Sequence, residues 1–484
     1  MERNAKINNL SMLDDYEVQG YWWLPDQKDN QLAGNLYYEN QKINLHVLGS
    51  FSNEIIEHDY IHGITIKGEE ITLFNNKLVN GTINMPGFPS QQFTAMYFIV
   101  GDHITDIDEI KFRSVNISST YLTKWFNNRP FHTEDKLDEE SNLINQSNTF
   151  IAPEVHSVYV KSIDAEICNN YNFNQQSDSV TKMNLKYREF LKITPDEWQD
   201  FDWYRKNINK LNRLLSLFVG EPVYLERMVL EGEIEDTGFG EDFNETKKYH
   251  VYFSQREVKV NEKLISGKML FTYPEVKQNL GVIFDNWFEK ESYLNNVLNL
   301  YFGDIYNGNV DLETKFLNAV QTLEVYHRNS GYGKLFSDEE KDKDLNIINE
   351  ALTGLIPDDK LAAINSRLKY YNDYSLVKRL EDIVKDKLNN DTKEYLFKSN
   401  TKAGSFIFKS ANTRNYLTHY DETSQEKRFV GVEMFYATKL LKALSGILLL
   451  KELGIDESIA LNKAKTNHSL SQLIAISKKE LNFN

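Results

Sequence analysis

From Gly20 to about Val260, apolar side chains alternate with polar ones or gather in short aromatic runs. Gly34-Asn35-Leu36-Tyr37-Tyr38, Ile43 to Leu48 and Ile64 to Leu73 have the period of two that belongs to strands with one buried face. Phe93 to Val100, His156 to Ile167 and Tyr249 to Val260 continue the same character. These runs predict a large, mainly antiparallel β module. One helix is expected to interrupt it, from Pro195 to Leu217, started by Thr194-Pro195 and carrying Trp198, Phe201, Leu211 and Leu214 at near-helical spacing.

Beyond about Leu280 the period changes to 3.6. Leu312, Phe316, Val320, Leu323 and His327 fall on one stripe, and Leu376, Leu380, Ile383, Val384 and Leu388 on another, so the C-terminal part is expected to be helical. The charged run Ser337 to Asp344 is expected to be a solvated loop between two helices. The last strong helix should run from about Phe429 to Leu453, with Lys451 in its final turn and Gly454 ending it. The fold class is α+β and multidomain, with residues 1–290 forming the β-rich part and residues 291–484 an all-α bundle.

A length of 484 residues fits two or three hydrophobic cores, and 41% apolar residues suffice to build them. Cys168 is the single cysteine, which rules out an internal disulfide and favours a reducing compartment. The first residues lack the apolar core of a signal peptide. The apolar stretch Ala443 to Leu450 is far short of the roughly 18 residues of a membrane span. A cytoplasmic protein without membrane contact is the expectation.

The formal net charge of −16 argues against a chain coated with nucleic acid along its whole length. The charge is unevenly spread, however. Residues 1–300 carry the entire excess, and residues 360–484 hold 21 basic and 14 acidic side chains. A polyanion should therefore be met in the last quarter of the chain.

That quarter contains Arg414-Asn415-Tyr416-Leu417-Thr418-His419. RNA carries its own nucleophile, the 2′-hydroxyl, so cleavage requires proton transfer and neutralisation of the phosphorane-like transition state. Histidine, with an ordinary pKa of about 6.5, gives or takes the proton. Arginine hydrogen-bonds phosphate oxygens bidentately and stays charged, so lysine would not replace it. Five helical positions turn by about 500°, which leaves the two side chains roughly 140° apart. Either the helix is irregular at this motif, or two such helices cross in a symmetric dimer.

The run Ser410 to Glu422 resembles the signature of the HEPN superfamily: an arginine, a polar residue such as Asn415, and a histidine four to six positions on. Gln321 to Arg328 resembles the first-helix pattern of the ApeA-like HEPN group. Gly20 to Pro25, Gly34 to Tyr38 and Leu48 to Phe51 resemble the opening of the ApeA-type N-terminal domain. This resemblance implies a metal-independent RNA endonuclease of bacterial antiphage defence, acting by abortive infection, with Arg414 and His419 catalytic. Asn415, Glu324 and Tyr420 are supporting positions; Glu324, Tyr326, His327 and Arg328 serve either the site or the packing of the motif helix. Tyr420 departs from the family's nucleotide-silenced toxins, which place one residue between histidine and tyrosine. RNA (tRNA at family level), a second copy of the chain and a phage-derived trigger at the N-terminal sensor region are the implied partners, and no cofactor is called for. The alternative is a non-catalytic HEPN scaffold that dimerises or holds RNA.

Other clusters carry less. His58 and His62, beside Glu54 and Glu57, lack a zinc-site order and read as a surface loop. Glu231 to Asp242 lacks the alternating ligands of a calcium loop and reads as a solvated connection. Cys168 reads as a buried structural thiol. Gly331-Tyr332-Gly333 is no dinucleotide fingerprint. Gly20 to Leu24 reads either as core or as an aromatic recognition surface.

Overall fold

The computed structural model describes all residues except 1, 4–5, 52–56, 83–85, 179, 236–243, 256–257, 332, 421–425 and 484. The chain forms two compact units, Met1–Phe288 and Glu289–Asn484. The first is mainly antiparallel sheet and the second is helical, as the two periodicities predict.

The first unit opens with β1 (Tyr16–Trp23), β2 (Leu32–Glu39), β3 (Lys42–Leu48), β4 (Glu57–Thr65), β5 (Glu70–Thr82) and β6 (Ser90–Ala95). Their pairing closes on itself in the order β1-β2-β3-β6-β5-β4-β1, every neighbour antiparallel. Closure removes the exposed edges that an open sheet would present. Alternation supplies the interior: Ile43, Leu45 and Val47 of β3 are buried while Asn44 and His46 between them are half-exposed. Within the ring wall, β4 yields to an indole. A Cβ on Gly63 would stand 2.2 Å from Cε3 of Trp22, so glycine there leaves the space that the ring occupies.

After Met96 the strand continues as β7 (Tyr97–Val100), which pairs with the other half of β5 and leads out of the ring. From β7 the sheet continues through later strands. These are β8 (Ser114–Ser119), β11 (Ser157–Val160), β12 (Ala165–Ser177), β13 (Met183–Pro195), β14 (Leu225–Glu235) and β15 (Glu245–Phe253). Their order from β7 is β15-β14-β8-β13-β12-β11. Among the described residues the hairpin β9 (Phe131–Leu137) and β10 (Leu143–Phe150) pairs only with itself. Its base touches β12 and β13 through Phe131 and Phe150 against Phe173 and Tyr187.

Several expectations need correction. Helix α1 spans Phe201–Val219, later than predicted: Pro195 ends β13, and the cap is Asp200, whose carboxylate accepts the Trp203 N–H at 2.8 Å. Trp22 and Trp23 are buried, so the aromatic run is core, with only Tyr21 turned outward. His58 and His62 lie on β4 rather than in a surface loop, and His62 is buried with Nε2 2.8 Å from the Ile104 carbonyl. Glu54 lies outside the described residues. Glu231 belongs to β14 and accepts from Ser114, Asn116 and Lys192; residues 236–242 of that acidic run lie outside the described residues. Cys168 is half-buried on β12, and burial pushes its thiol pKa up. In Gly331-Tyr332-Gly333, both glycines have positive φ, and Tyr332 lies outside the described residues.

Helix α2 (Leu280–Tyr306) begins in the first unit and ends in the second. The second unit continues with α3 (Leu312–Asn329), α4 (Asp338–Leu352), α5 (Asp358–Leu368), α6 (Leu376–Asp386), α7 (Asn390–Phe397) and α8 (Asn400–His419). It ends with α9 (Val432–Glu452), α10 (Glu457–Thr466) and α11 (His468–Glu480). Helices α3, α6, α8 and α9 share the core through Leu323, Leu380, Phe406 and Leu444. The run Ser337 to Asp344 is not a loop. Ser337 caps α4 in a reciprocal box with Glu340, and the acidic side chains face the helix N-terminus that attracts them. Among the described residues no helix is long and apolar enough to cross a membrane.

The Gly63 contact gives a direct test. Gly63→Ala should destabilise the first unit by about 1–3 kcal/mol through overpacking. A lower urea midpoint by tryptophan fluorescence is expected, and an unchanged midpoint would show that Trp22 has room to move.

Candidate active site

Helix α8 is capped by Ser399 and buries Phe406, Ile407, Ser410, Ala411, Thr413 and Leu417 along one side. It remains helical through His419. Tyr420 then terminates it in the left-handed region, φ +51°, donating its N–H to the Tyr416 carbonyl at 2.6 Å. With regular helix throughout, Arg414 and His419 diverge by the roughly 140° expected of five positions.

The two side chains accordingly meet different surroundings. Arg414 turns toward α3, where Nη2 donates to Glu324 Oε2 at 3.2 Å and Nη1 donates to Asn415 Oδ1 at 3.1 Å. Its Nε is buried without an acceptor. Glu324 is buried, and its other oxygen accepts from Arg328 Nη2 at 2.9 Å. One carboxylate thus holds two guanidinium groups. His419 is exposed, and Tyr420 is 70% exposed with its ring against Tyr416. Asn415 therefore supports Arg414 and makes no described contact with His419.

The remaining first-helix positions divide among other partners. Tyr326 donates its hydroxyl to Glu452 Oε1 of α9 at 2.8 Å, and Lys290 reaches the other oxygen. Burial pushes Glu452 up, but the Lys290 and Tyr326 hydrogen bonds outweigh it and hold the carboxyl below its usual range. His327 is buried toward α6, with Nδ1 3.4 Å from Arg379 Nη1 and Nε2 3.5 Å from Asp382. Leu323 enters the core. The pattern Leu323-Glu324-Val325-Tyr326-His327-Arg328 thus joins α3 to α6, α8 and α9. Arg379, Asp382 and Glu452 are not marked by local sequence; only their pairing across the bundle reveals them.

Among the described residues, no group of three or more His, Cys, Asp or Glu is placed to hold a metal ion. The arrangement offers a half-buried guanidinium fixed by a carboxylate and, on another face of the same helix, an exposed imidazole with no hydrogen-bond partner among the described residues. Together these are the groups needed to neutralise a phosphate and to move a proton.

The sequence model described as ApeA N-terminal domain 1 matches residues 17–287, and the one described as Apea-like HEPN matches residues 317–459, a span that includes Glu324, Arg414 and His419. This is the architecture of a helical HEPN domain preceded by a β-rich N-terminal domain. The chain belongs to the ApeA family. It matches neither a curated protein nor a solved structure.

Burial first, and then the Arg379 charge, depresses the pKa of His327. Asp382 opposes the shift, and Lys387 adds to it. Below the ordinary histidine pKa of about 6.5 the unfolded chain takes up a proton that the folded one refuses, so this contribution to stability is complete above that pH and lost below it. Unfolding midpoints of wild type and His327→Gln should converge as the pH is lowered from about 7.5 to 5. Curves that stay parallel would show that His327 is protonated equally in both states.

Proposed function

We propose that this protein is a metal-independent RNA endonuclease of antiphage defence, acting by abortive infection, with Arg414 and His419 as its catalytic residues. Family membership supports a HEPN defence protein. The observation that carries the finer reading is the pair itself, with Arg414 fixed by Glu324 and His419 exposed at the helix end. Histidine takes the 2′-hydroxyl proton, O2′ forms a bond to phosphorus, and the bond to the 5′-oxygen breaks as that oxygen gains a proton from water, to which the histidine afterwards releases its own. Arg414 balances the charge on the non-bridging oxygens.

Because the two side chains diverge, each site takes its arginine from one chain and its histidine from the other, which makes the active form a homodimer. Phe408, Asn412, Asn415 and His419 follow one another at helical spacing, and Phe408 is exposed. The first turn of α9, tied to α8 by Lys409 and Glu433, exposes Val432 and Phe435. These apolar side chains around a polar stripe suit a second copy. The substrate is RNA in the cytoplasm, with tRNA as the candidate class. The acidic β-rich region acts as sensor for a phage-derived trigger, and Asn415, Glu324 and Tyr420 support the site.

One observation favours a second reading, a non-catalytic RNA-binding or dimerisation scaffold: Arg414 is already engaged by Glu324. Incubation of the purified protein with total RNA in EDTA separates the two. Cleavage is expected, leaving 2′,3′-cyclic phosphate and 5′-hydroxyl ends, and His419→Ala should reduce it by about 10²-fold or more. Strict magnesium dependence or 5′-phosphate ends would overturn the 2′-hydroxyl mechanism, and intact RNA would favour the scaffold. Ultraviolet crosslinks should fall within residues 360–484; crosslinks mainly to the β-rich unit would reverse the assignment.

A further inference from the structure

The position of Arg428 is set by the residue after it. Phe429 is buried, with its ring 5.6 Å from Phe406 and 6.3 Å from Phe316, and its N–H donates to Thr413 Oγ1 at 2.8 Å. The chain is thereby pinned to α8 at Thr413. Arg428 then lies over the next aromatic along that helix, its guanidinium carbon 3.7 Å from the centre of the Tyr416 ring. Tyr416 and His419 are three positions apart on α8 and are neighbours on its surface.

Three arginines surround the motif, and they differ in what holds them. Arg414 and Arg328 share the Glu324 carboxylate. Arg428 has no carboxylate partner among the described residues, and its Nε is buried without an acceptor. What orients it is the ring face. A guanidinium seated on an aromatic ring still has its terminal N–H groups, which can receive a phosphate with two parallel hydrogen bonds. The cation is also desolvated on one side, which strengthens its attraction to an anion.

Resting on the ribonuclease reading above, we propose that Arg428, seated over the Tyr416 ring, is a phosphate-binding residue of the RNA site, contributed by the same chain as His419. Each half of the site then has its own division of labour. Arg414 faces the reacting phosphate from one chain. His419 and Arg428 come from the other, with Arg428 gripping a non-bridging oxygen of the RNA backbone beside the bond that is cut. Tyr416 is a positioning residue that acts through Arg428.

The test uses full-length protein carrying His419→Ala, so that RNA is bound without being cut, and a short fluorescein-labelled single-stranded RNA of mixed sequence. Adding Arg428→Gln should weaken binding roughly tenfold. It should also lower the slope of log affinity against log salt by about 0.7, the loss of one phosphate contact to a single strand. Arg428→Lys should keep the slope and still bind more weakly than the parent. Melting temperatures should match; if Arg428→Gln fails to fold, Tyr416→Leu, which keeps the charge and removes the ring, should behave like the lysine variant.

Unchanged affinity and slope in Arg428→Gln would overturn the proposal, as would a parent that binds no RNA. So would a variant that separates into monomers by native mass spectrometry with unaltered RNA affinity, because Arg428 would then serve a protein contact. The outcomes also separate the two levels. Wild type that cleaves RNA while Arg428→Gln keeps its kcat and KM removes only the role of Arg428. Loss of binding in Arg428→Gln alongside a wild type that never cleaves removes the ribonuclease reading and leaves the phosphate contact standing.

Discussion

The helical unit depends on one carboxylate. Glu324, buried on α3, holds Arg414 of α8 on one oxygen and Arg328 of its own helix on the other. Without it, two guanidinium groups would be left near each other without their carboxylate, and breaking a fully buried pair of this kind costs on the order of 3–5 kcal/mol. Arg328 is half-exposed, which lowers that figure here. The consequence for chemistry is geometric. A guanidinium tied from behind keeps its charge at a fixed place, which is what stabilising a developing negative charge requires.

The same anchoring explains why Arg414 and His419 meet different surroundings within one chain. Leu417 and Thr413 bury the inner side of α8, Glu324 takes Arg414, and a regular helix then turns His419 outward. Nothing within α8 can bring the imidazole back to the arginine, since the helix is unbroken until Tyr420 ends it. The irregular helix that would have reunited the pair is absent. On the reading proposed above, a neighbouring helix from a second copy completes the constellation. Exposed Phe408, Val432 and Phe435 give such a neighbour apolar surface to meet.

Much of the fold was legible because it follows from periodicity. Strands such as Lys42–Leu48 alternate cleanly, and the stripe from Leu312 to His327 names the buried face of α3. Misreadings arose where composition was weighed above local chemistry. Ser337 to Asp344 looks like a solvated loop, yet Ser337 and Glu340 spell the capping box that starts α4. Thr194-Pro195 looks like a helix start, yet Asp200 offered the better cap, three residues before Trp203. At the site, Arg414 and His419 stand out through the motif. Glu324 stands out through the first-helix pattern, but its pairing with Arg414 ninety positions away does not, and the seat of Arg428 on Tyr416 depends on where Phe429 enters the core.

The central claim is that two chains share each active site, and reassembly of two inactive variants tests it most directly. Arg414→Ala and His419→Ala proteins, mixed and allowed to exchange subunits, form heterodimers in which one site carries both substitutions and the other carries neither. With random exchange about half the dimers are mixed and each has one working site of two, so roughly a quarter of wild-type RNA cleavage should return. Absence of recovery, with heterodimers confirmed by native mass spectrometry, would contradict the shared site.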